Sequence, residues 1–388
     1  MKLHTKARAI GVNNRLVAKI TNTPVAEKRK DYFLFVEAVD SELDCSGYAG
    51  ILTEQLPEPE KITAPWIGGF DNMELLKPGY ILSVERNGFV HVVYRPESHH
   101  NTLFATGRCN NNCIMCPQPP TESEDSGWIE SHLRFIDLLD TDLERLCITG
   151  GEPTLIGYGL IDVLKKATLS LPSTDFYMLT NGRQFAEEGY VQKIAAIPDL
   201  KLLCAIPVYS DVAPLHDYIV QAKGAFAETV KGLHNLARYQ LPVEIRVVLH
   251  KQTIPRLLPL VEFIYRNFPF VNHVALMGLE NMGYVKNNWD LLWIDPVDYQ
   301  DELEAAVRHL HYRQMAVSIF NLQLCVLKPA LHPFARQSIS DFKNIFLEQC
   351  NICASKATCA GLFKSSETRH SRGIKPLMTT VLTDSLAS

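Results

Sequence analysis

From about residue 101 the sequence alternates between short apolar runs and longer amphipathic segments, and this alternation limits the fold more than any other feature. Apolar residues in the longer segments recur at helical spacing, whereas the short runs have the length and residue types of strands. Successive strands follow at roughly 25 to 40 residues, which is typical of right-handed βαβ units and a parallel sheet. The predicted strands are TLFAT (102–106), RLCIT (145–149), DFYMLT (175–180), LKLLCAIPV (200–208), VEIRVVLH (243–250) and HVALMGLE (273–280). Six such units predict an α/β fold, built as an open doubly wound sheet or as a partial barrel.

The first hundred residues differ from the rest because their short apolar runs are separated by proline, glycine and asparagine. The stretch KPGYILSVERNGFVHVVY predicts a β-hairpin whose turn is Asn87-Gly88, since this dipeptide favours a two-residue turn between strands. Residues 1–100 are therefore predicted to form a small β-rich accessory domain, with a packing role rather than a catalytic one.

After residue 290 the sequence predicts a helix in VDYQDELEAAVRHLHYRQM and then a strand in AVSIFNLQL, followed by a segment that carries cysteines. We expect residues 101–290 to form the catalytic α/β core and residues 291–377 to form a C-terminal extension. Residues 378–388 are polar and are expected to be a frayed tail.

Composition narrows the possible classes of protein. The chain has 388 residues, of which 46% are hydrophobic and 21% charged, as in an ordinary globular enzyme. The net charge of −5 gives no basic surface for a nucleic acid, and no apolar run is long enough to suggest a membrane span. The N-terminal residues lack the apolar stretch of a secretory signal, so we expect a cytoplasmic protein. The ten cysteines should then be reduced, and the clustered ones are candidate metal ligands.

Three cysteines lie close together directly after the first predicted strand: Cys109, Cys113 and Cys116. A structural zinc site takes four ligands and a disulfide takes two, so three thiolates on a short loop suit a metal centre with one open coordination position. A cubane [4Fe–4S] cluster meets this description, because three of its irons can bind cysteine while the fourth accepts another ligand.

Two further motifs follow the second and third predicted strands: GGEP (150–153) and NG (181–182). Active sites of parallel α/β proteins gather at the carboxyl ends of the strands, so these motifs should meet the cysteine loop. The glycine pair allows close approach of backbone to a ligand, Glu152 suits an ammonium group, and the amide of Asn181 suits sugar hydroxyls. A ligand with an amino acid, a ribose and a base would use all three. S-adenosylmethionine (SAM) is such a ligand, and its radical chemistry depends on an iron–sulfur cluster.

The pattern C-x3-C-x2-C followed by GGEP resembles the radical SAM superfamily, over roughly residues 101–290. The resemblance implies a partial (β/α)6 TIM-like barrel and a [4Fe–4S] cluster on Cys109, Cys113 and Cys116, whose unique iron binds the amino and carboxylate groups of SAM. One electron from the cluster would cleave the sulfonium and release a 5′-deoxyadenosyl radical, which abstracts hydrogen from a substrate. A flavodoxin- or ferredoxin-type protein is the expected electron donor.

The same resemblance assigns residues to SAM. The GGEP residues would orient the amino group, while Thr180 and Asn181 would meet the ribose, with Ser210 as a further candidate there. Met115 occupies a position that is usually aromatic in the family, and its thioether can pack against adenine. Arg246 could pair with the methionine carboxylate, and Glu280 would face the substrate; no catalytic residue is assigned. The predicted SAM-binding residues are Met115, Gly150, Gly151, Glu152, Pro153, Thr180, Asn181, Ser210 and Arg246.

A second group of cysteines follows the pattern Cys350-x2-Cys353-x5-Cys359, with Cys325 upstream. Four thiolates could close a structural zinc site or fully ligate a second [4Fe–4S] cluster, and their chemistry alone favours neither. The pattern resembles the auxiliary-cluster extensions of peptide-modifying radical SAM enzymes, which implies an iron–sulfur cluster. The longer form of that extension has another cysteine where this chain has Phe363, so we expect one auxiliary cluster rather than two.

The chain from about residue 78 to 377 also resembles a narrower family within this superfamily. This family is the His-Xaa-Ser system radical SAM maturases, in the C-type branch. Members of that family accompany a small peptide with His-Xaa-Ser repeats and a second radical SAM maturase. The resemblance therefore implies modification of a ribosomally made peptide, without saying which bond is formed. The stretches that carry it are HNTLFATGRCNNNCIMCPQPP, CITGGEPTL, HVALMGLENMGY, WIDPVDY, QLCVLKPA, QSISDFKN, CAGLFKSS and RHSRGIKPL.

Three alternatives compete with a peptide-modifying radical enzyme. A radical SAM enzyme of deazapurine or cofactor biosynthesis would act on a small molecule, but minimal barrels of that type usually lack a C-terminal cysteine extension. A non-catalytic scaffold could bind zinc at both cysteine groups, although it would need neither GGEP nor the TNG sequence at 180–182. An electron carrier would be much smaller than this chain.

Several other residues invite a functional reading that the sequence does not support. His216 and Asp217 are predicted to fix a loop or to cap the following helix. Cys45, Cys147 and Cys204 have no partners at metal-ligand spacing and are interpreted as small buried apolar residues.

Overall fold

The computed structural model describes residues 3–37, 44–54, 64–122, 125, 127–337 and 344–378. The chain divides into two compact units. The first contains Met1–Gly107, Glu122–Met178 and Ala196–Leu202, and the second contains Arg108–Thr121, Leu179–Ala195 and Leu203–Ser388. The predicted frayed tail lies outside the described residues, apart from Met378. Of the helices in the described ranges, none is long and apolar enough to span a membrane.

The N-terminal part of the first unit is a single β-sheet, as the β-rich sequence predicts. Its strand order is β1-β8-β7-β3-β4-β5-β6-β2. Because β1 and β2 are separated only by Ala7 and pair with opposite ends of this order, the sheet closes on itself and its edges are covered. The strands are β1 (His4–Lys6), β2 (Arg8–Ile10), β3 (Leu16–Thr21), β4 (Tyr32–Val36), β5 (Gly50–Thr53), β6 (Trp66–Gly68), β7 (Ile81–Val84) and β8 (Phe89–Tyr94).

The predicted hairpin joins β7 to β8 and is confirmed, but its turn is centred on Arg86 and Asn87 rather than on Asn87 and Gly88, since the amide of Gly88 donates to the carbonyl of Glu85 at 2.9 Å. Glu85 donates its N–H to the carbonyl of Phe89 at 2.8 Å, and the side chain of Asn87 accepts from the amide of Phe89 at 3.0 Å. Gly88 has a φ of +80°, a conformation that residues with a Cβ rarely adopt, which explains why the turn needs the asparagine–glycine pair.

The closed sheet packs against helix α1 (Trp128–Leu138) of the same unit. Lys19 forms an ion pair with Asp140 at 2.8 Å, just past the end of the helix. At the other end the guanidinium of Arg15 lies 3.8 Å from the ring centroid of Trp128. These polar and cation–π contacts fix the helix to the sheet at both of its ends.

The first unit also holds parallel strands, as the βαβ rhythm predicts. In the ladder, β10 pairs in parallel with both β9 and β11. The bounds agree with the predicted strands to within two residues because each strand is a short apolar run with little ambiguity about its ends. The elements are β9 (Asn101–Phe104), β10 (Arg145–Thr149), α2 (Tyr158–Ser170) and β11 (Asp175–Leu179).

From residue 188 onwards helices and parallel strands alternate, with each strand from β12 to β16 paired in parallel to the next. The predicted strands and the amphipathic helices are found in their expected places. The elements are α3 (Glu188–Ala195), β12 (Leu202–Pro207), α4 (Ala213–Val220), α5 (Ala225–Arg238), β13 (Val243–Leu249), α6 (Leu257–Asn267), β14 (His273–Gly278), α7 (Trp289–Leu292), α8 (Gln300–Tyr312), β15 (Val317–Phe320) and β16 (Ala335–Arg336).

The two faces of the sheet in the second unit differ in exposure. Ile245 and Val247 of β13 are fully buried, and α5 packs against this strand. Arg246 and Val248, which alternate with them, are only half-buried, as is Met277 of the neighbouring strand. Since residues of a strand alternate between faces, one face is closed by helices and the other is open enough to receive a ligand. The α/β fold with parallel strands is thus confirmed, while the partial barrel and the domain boundaries stay predictions.

Candidate functional site

The cysteine loop, residues 109–116, is held to the second unit by its own backbone. The amide of Asn112 donates to the carbonyl of Val220 at 2.9 Å, and the amide of Ile114 donates to the carbonyl of Ile219 at 3.0 Å. These carbonyls lie at the C-terminal end of α4, where carbonyl groups have no intrahelical partner. The loop therefore satisfies the end of a helix while it holds the cysteines in a fixed backbone conformation.

The NG motif contacts the cysteine loop, as its position after a strand predicts. Asn181 donates from Nδ2 to Oδ1 of Asn110 at 2.6 Å, and the same nitrogen lies 4.0 Å from Sγ of Cys109. The hydroxyl of Thr180 accepts from the amide of Gly182 at 3.1 Å and so shapes the turn. Both Thr180 and Asn181 are buried. Asn181 therefore supports the first cysteine, and its predicted contact with a ribose stays a prediction.

Arg183 was missed by the sequence reasoning, although it follows the NG motif directly. Its Nη1 donates to the carbonyl of Asn110 at 2.5 Å and to Oδ1 of Asn111 at 2.7 Å. Its Nε forms an ion pair with Glu228 at 2.5 Å. A forked cation can hold several oxygens at once, so Arg183 ties the cysteine loop to α5. A cation two residues after the asparagine is not by itself a pattern that distinguishes Arg183 from a surface arginine.

A second brace follows β14 and was also missed. The amide of Tyr284 donates to the carbonyl of Cys116 at 2.9 Å, and Nδ2 of Asn288 donates to the carbonyl of Ile114 at 2.7 Å. On the other side, Nδ2 of Asn281 donates to the carbonyl of Ser365 at 3.2 Å. We call residues 281–288 the clamp segment, because they hold the cysteine loop and reach the C-terminal extension.

The clamp segment approaches the loop so closely that only glycine fits at Gly283. A Cβ added there would lie 2.2 Å from the carbonyl oxygen of Cys116 and 2.6 Å from the carbonyl carbon of Pro117. Its φ of +54° is also in the left-handed region that side chains rarely adopt. The glycine of the NMGY sequence is therefore needed for the seating of the third cysteine.

Burial affects the thiol of Cys116, the residue whose carbonyl accepts the hydrogen bond from the clamp segment. Burial raises the pKa of Cys116. The thiol of this residue donates a hydrogen bond to the carbonyl of Gln118 at 3.0 Å. Coordination would remove the proton, because a metal-bound thiol is deprotonated outright. Three soft thiolates on a braced loop fit the donor set of an iron–sulfur cluster with one open iron.

Met115 belongs to the cysteine loop. Its side chain packs in a hydrophobic cluster with Ile114 and Tyr209 and is 4% exposed. Burial and the neighbouring thiol of Cys113 raise the pKa of Tyr209 above the usual tyrosine range. Packing explains Met115 fully, so its contact with adenine stays a prediction. The nearness of Tyr209 to Cys113 could not be read from the sequence.

The other two predicted residues of the second unit have protein partners. Ser210 is fully buried and its hydroxyl accepts from the amide of Val212 at 3.0 Å. Arg246 lies on the open face of the sheet, with Nη2 2.9 Å from Sδ of Met277 and Nε 3.7 Å from Glu244. A thioether is a weak acceptor, so a ligand carboxylate would be a better partner for this guanidinium. Both assignments to SAM stay predictions.

The GGEP motif belongs to the first unit and folds tightly onto Thr106, two residues after the end of β9. The amide of Gly151 donates to the carbonyl of Thr106 at 2.7 Å, and a Cβ at Gly150 would lie 2.5 Å from that oxygen. Glu152 is fully buried, and its Oε1 accepts from the amide and the hydroxyl of Thr154 at 3.0 and 2.6 Å. Pro153 follows at the start of a short 3₁₀ turn. The glycine pair thus serves chain packing, and its contact with SAM stays a prediction.

Asp217 and His216 have the structural roles predicted for them. The carboxylate of Asp217 accepts from the amides of Gly224 and Phe226 at 2.6 and 2.8 Å, which caps α5. Nδ1 of His216 accepts from the amide of Tyr209 at 3.3 Å, and burial lowers the pKa of His216 to about 4. These contacts give both residues structural roles.

The C-terminal cysteines Cys325, Cys350, Cys353 and Cys359 line one small cavity. The amide of Leu377 donates to Sγ of Cys353 at 3.3 Å. Burial raises the pKa of Cys325, and an amide hydrogen bond from Lys375 opposes that rise. The remaining lining is mostly apolar, and includes Leu324, Ile345, Phe346, Leu362 and Ile374.

Within the described ranges, no three side chains of the His, Cys, Asp and Glu types converge as ligands of a single metal ion would. A tetrahedral zinc ion needs four sulfurs at about 2.3 Å from one centre. A cubane cluster takes one thiolate on each iron, so its cysteines are spread around a larger group. The four thiols are candidate ligands, and the auxiliary cluster stays a prediction.

Residues 103–264 match the sequence model of the radical SAM superfamily. This stretch contains the cysteine loop, the GGEP and NG motifs and the strands from β10 to β13. The match supports a likeness of this stretch to the radical SAM superfamily, and that family implies SAM and a [4Fe–4S] cluster as cofactors.

Individual proteins are similar at low identity. An uncharacterized protein, MJ0907, of Methanocaldococcus jannaschii is 26% identical over 168 residues, 42% of this chain, and the chain spans 58% of that relative's length. The structure of native anSMEcpe with bound AdoMet and the Cp18Cys peptide is similar with a TM-score of 0.49 at 13% identity, over 71% of this chain and 92% of that one. Coproporphyrinogen III oxidase (HemN) from Escherichia coli is similar with a TM-score of 0.44 at 14% identity, over 57% of this chain and 54% of its own.

Proposed function

We propose that this chain is a radical SAM enzyme that modifies a ribosomally made peptide, as a maturase of the His-Xaa-Ser system in the C-type branch. When bound at Cys109, Cys113 and Cys116, the [4Fe–4S] cluster supplies one electron to SAM, which yields the 5′-deoxyadenosyl radical. A second [4Fe–4S] cluster is proposed at Cys325, Cys350, Cys353 and Cys359. A flavodoxin- or ferredoxin-type donor, a partner maturase and a cytoplasmic setting belong to the same proposal.

The observation that carries the proposal is the bracing of the three-cysteine loop. Asn181 and Arg183 hold its start, while Tyr284 and Asn288 hold its end. A loop fixed from both sides keeps three thiols in place and leaves the coordination of a fourth position to a ligand. Support for a peptide substrate comes from the second cysteine group, since a minimal radical SAM barrel does not need one.

The residues of the chain have separate tasks in this reaction. Arg246 on the open face of the sheet would bind the carboxylate of SAM. The buried cluster around Met115 and Tyr209 excludes water from beneath the loop, which protects a radical from side reactions.

The test uses protein purified and reconstituted without oxygen, with dithionite, SAM and a synthetic peptide containing His-Xaa-Ser repeats. We expect 5′-deoxyadenosine in the products and a mass change in the peptide, both absent from the variant Cys113→Ala. Production of 5′-deoxyadenosine with no change in any such peptide would refute the peptide assignment. Absence of 5′-deoxyadenosine from protein with a full complement of iron would refute the enzyme itself.

A further inference from the structure

Three polar side chains form a continuous line across strands β13, β14 and β15 of the second unit: Glu244, His273 and Ser318. Nδ1 of His273 lies 2.9 Å from Oε2 of Glu244, and Nε2 of the same imidazole lies 3.0 Å from Oγ of Ser318. An ionised carboxylate only accepts hydrogen bonds, so Nδ1 is the donor in the first contact. The array therefore joins three neighbouring strands through side chains as well as through the backbone.

The array lies on the open face of the sheet, which also presents Arg246. Glu244 and Arg246 are two residues apart on β13 and therefore point to the same side. The register places His273 beside Glu244, and Ala275 beside Arg246. Because Ala275 has only a methyl group, it leaves space beside the arginine, whose guanidinium reaches Met277 further along the same strand.

Arg246 is oriented from two directions. Its Nε lies 3.7 Å from Oε1 of Glu244, which is an ion pair without a hydrogen bond, and its Nη2 lies 2.9 Å from Sδ of Met277. In the part of the chain that the structure describes, Nη1 makes no hydrogen bond to the protein. The donors of a guanidinium lie in one rigid plane, so contacts at Nε and Nη2 also fix the direction of Nη1.

Burial shows that stability alone does not explain this arrangement. Glu244 is 9% exposed and Ser318 is 8% exposed. Removing a carboxylate from water is costly unless it is hydrogen-bonded, and a buried ion pair adds little stability compared with apolar residues of similar size. An array that costs desolvation and gives a fixed geometry is better explained by the orientation of the arginine beside it.

The same three side chains have the order of a nucleophile, a base and an orienting carboxylate. Acyl transfer would also need backbone amides that are available to an oxyanion. Ser318 lies within β15, which pairs with β14 on one side and with β16 on the other, so the amides of this strand serve the sheet. This position favours an orienting role over a nucleophilic one.

We propose that Glu244, held in place by His273 and Ser318, positions Arg246 for the carboxylate of SAM. Glu244 attracts the Nε edge of the guanidinium, which leaves the opposite edge with Nη1 directed to the ligand. Glu244 and His273 act through Arg246 and do not touch SAM themselves. The inference rests on the proposed function, in which Arg246 binds this carboxylate.

The experiment measures equilibrium binding of SAM to the full-length, cluster-loaded protein by calorimetry, without oxygen or reductant. We expect Arg246→Gln to weaken binding by roughly tenfold or more, as for the loss of a charge-assisted hydrogen bond. Glu244→Gln should weaken binding by roughly threefold to tenfold, because a neutral amide does not attract the guanidinium. The double variant should bind SAM as Arg246→Gln does, since Glu244 acts only through the arginine.

Decarboxylated SAM shows which part of the ligand is affected. This analogue lacks the carboxylate and keeps the sulfonium, the ribose and the base. Glu244→Gln should bind it as the native chain does. A merely structural role for Glu244 would weaken the binding of both ligands, and the loss would add to that of Arg246→Gln.

Variants of His273 test the array itself. His273→Asn keeps an N–H donor close to the position of Nδ1 and should retain most of the affinity for SAM. His273→Leu removes that donor and should lose as much affinity as Glu244→Gln, so it makes the same test if Glu244→Gln fails to fold.

Glu262→Gln is the matched control for Glu244→Gln. Glu262 also lies beside an imidazole, 2.7 Å from Nε2 of His309, and pairs with Arg266. These contacts join α6 to α8 rather than crossing the open face of the sheet. The affinities of this variant for SAM and for decarboxylated SAM should both equal those of the native chain.

Native affinity for SAM in Glu244→Gln, or a loss that adds fully to that of Arg246→Gln, would overturn the proposal. An assay of 5′-deoxyadenosine separates the inference from the proposed function. Native protein that binds and cleaves SAM, with Glu244→Gln unchanged, refutes the positioning role alone. Native protein with its full complement of iron that neither binds nor cleaves SAM refutes the proposed function, and the positioning role with it.

Discussion

The two cysteine groups of the second unit are held in opposite ways. The loop of Cys109, Cys113 and Cys116 is pinned by polar contacts from distant segments, among them Asn181 and Arg183. The four C-terminal cysteines instead line a small, mostly apolar cavity, with the amide of a neighbouring segment directed at a sulfur. Three thiols on a braced backbone leave a coordination position for an exchangeable ligand, whereas four thiols in an apolar cavity close a site. Under the proposed function, the first group would be the reacting centre and the second a supporting one.

The largest expected effect comes from removing the ligands of each group in turn. Replacing Cys109, Cys113 and Cys116 together by Ala should abolish formation of 5′-deoxyadenosine, because no other group can supply the cleaving electron. Replacing Cys350 and Cys353 by Ala should leave SAM cleavage within about tenfold of the native rate, a barrier change of about 1.4 kcal/mol, while peptide modification is lost. Chromatography of the reaction products measures both.

The comparison fails if the two sets of replacements have the same effect. Complete loss of SAM cleavage in Cys350→Ala, Cys353→Ala protein that keeps its native circular dichroism would mean that the second group also belongs to the reacting centre.

The clamp segment provides the next test. In Gly283→Ala a methyl group would meet the carbonyl of Cys116 at 2.2 Å, so the third cysteine must shift. We expect SAM cleavage to fall by roughly tenfold or more, with the C-terminal cluster retained. Gly189→Ala is the matched control, since a Cβ there meets nothing within 4 Å. Equal rates for the two variants, measured by 5′-deoxyadenosine per iron, would show that the clamp segment does not position the loop.

A smaller effect is expected from Asn288→Ala, which removes one hydrogen bond to the carbonyl of Ile114. Loss of such a bond costs about 1 kcal/mol, so SAM cleavage should fall by roughly threefold to tenfold. Asn267→Ala removes a comparable side-chain bond to the carbonyl of Phe263 on exposed α6 and should leave the rate unchanged. If Asn288→Ala cleaves SAM at the native rate, the hydrogen bond to the carbonyl of Ile114 serves folding alone.

The smallest expected effect is on the stability of the protein in acid. It comes from two buried histidines, His216 and His250. Burial lowers the pKa of His216 to about 4 and that of His250 to about 3, while Asp217 acts weakly in the other direction on His216. Below pH 6.5 the unfolded chain binds protons that the folded chain does not, so the free energy of unfolding decreases as the pH falls towards 4. Between pH 7 and 5.5 the loss should be about 1 kcal/mol for each histidine.

Urea unfolding of His216→Gln, His250→Gln protein across this range measures the effect. The double variant should lose much of the acid-dependent decrease, whatever its stability at pH 7. An unchanged slope between pH 7 and 5.5 would assign the acid sensitivity to other groups.

Much of the fold could be predicted from the sequence because its signals are local. Each strand of the parallel sheets is a short apolar run, and Gly88 at the end of the hairpin turn carries its own backbone requirement. The four C-terminal cysteines could be grouped because their residue type and spacing are unusual together. The cap that Asp217 provides comes from a carboxylate on α4 that reaches the start of the next helix along the chain.

The braces of the cysteine loop could not be predicted in the same way. Arg183 and Asn288 act on residues that are far away along the chain, and neither has a local pattern that distinguishes it from a surface residue. Ser210 illustrates the reverse problem, since a polar residue after a strand can serve the turn itself. Contacts between distant segments depend on packing that periodicity does not encode.

The central claim is that the two cysteine groups hold separate iron–sulfur clusters, one open and one closed. The most direct test is iron, sulfide and zinc analysis with Mössbauer spectroscopy of native protein, of the Cys109, Cys113 and Cys116 triple alanine variant, and of Cys350→Ala, Cys353→Ala. We expect about eight irons per native chain and about four in each variant, with a SAM-dependent spectral change only where the first group is intact. Zinc at the C-terminal group, or loss of all iron on removing the first group from protein that remains folded, would contradict the account.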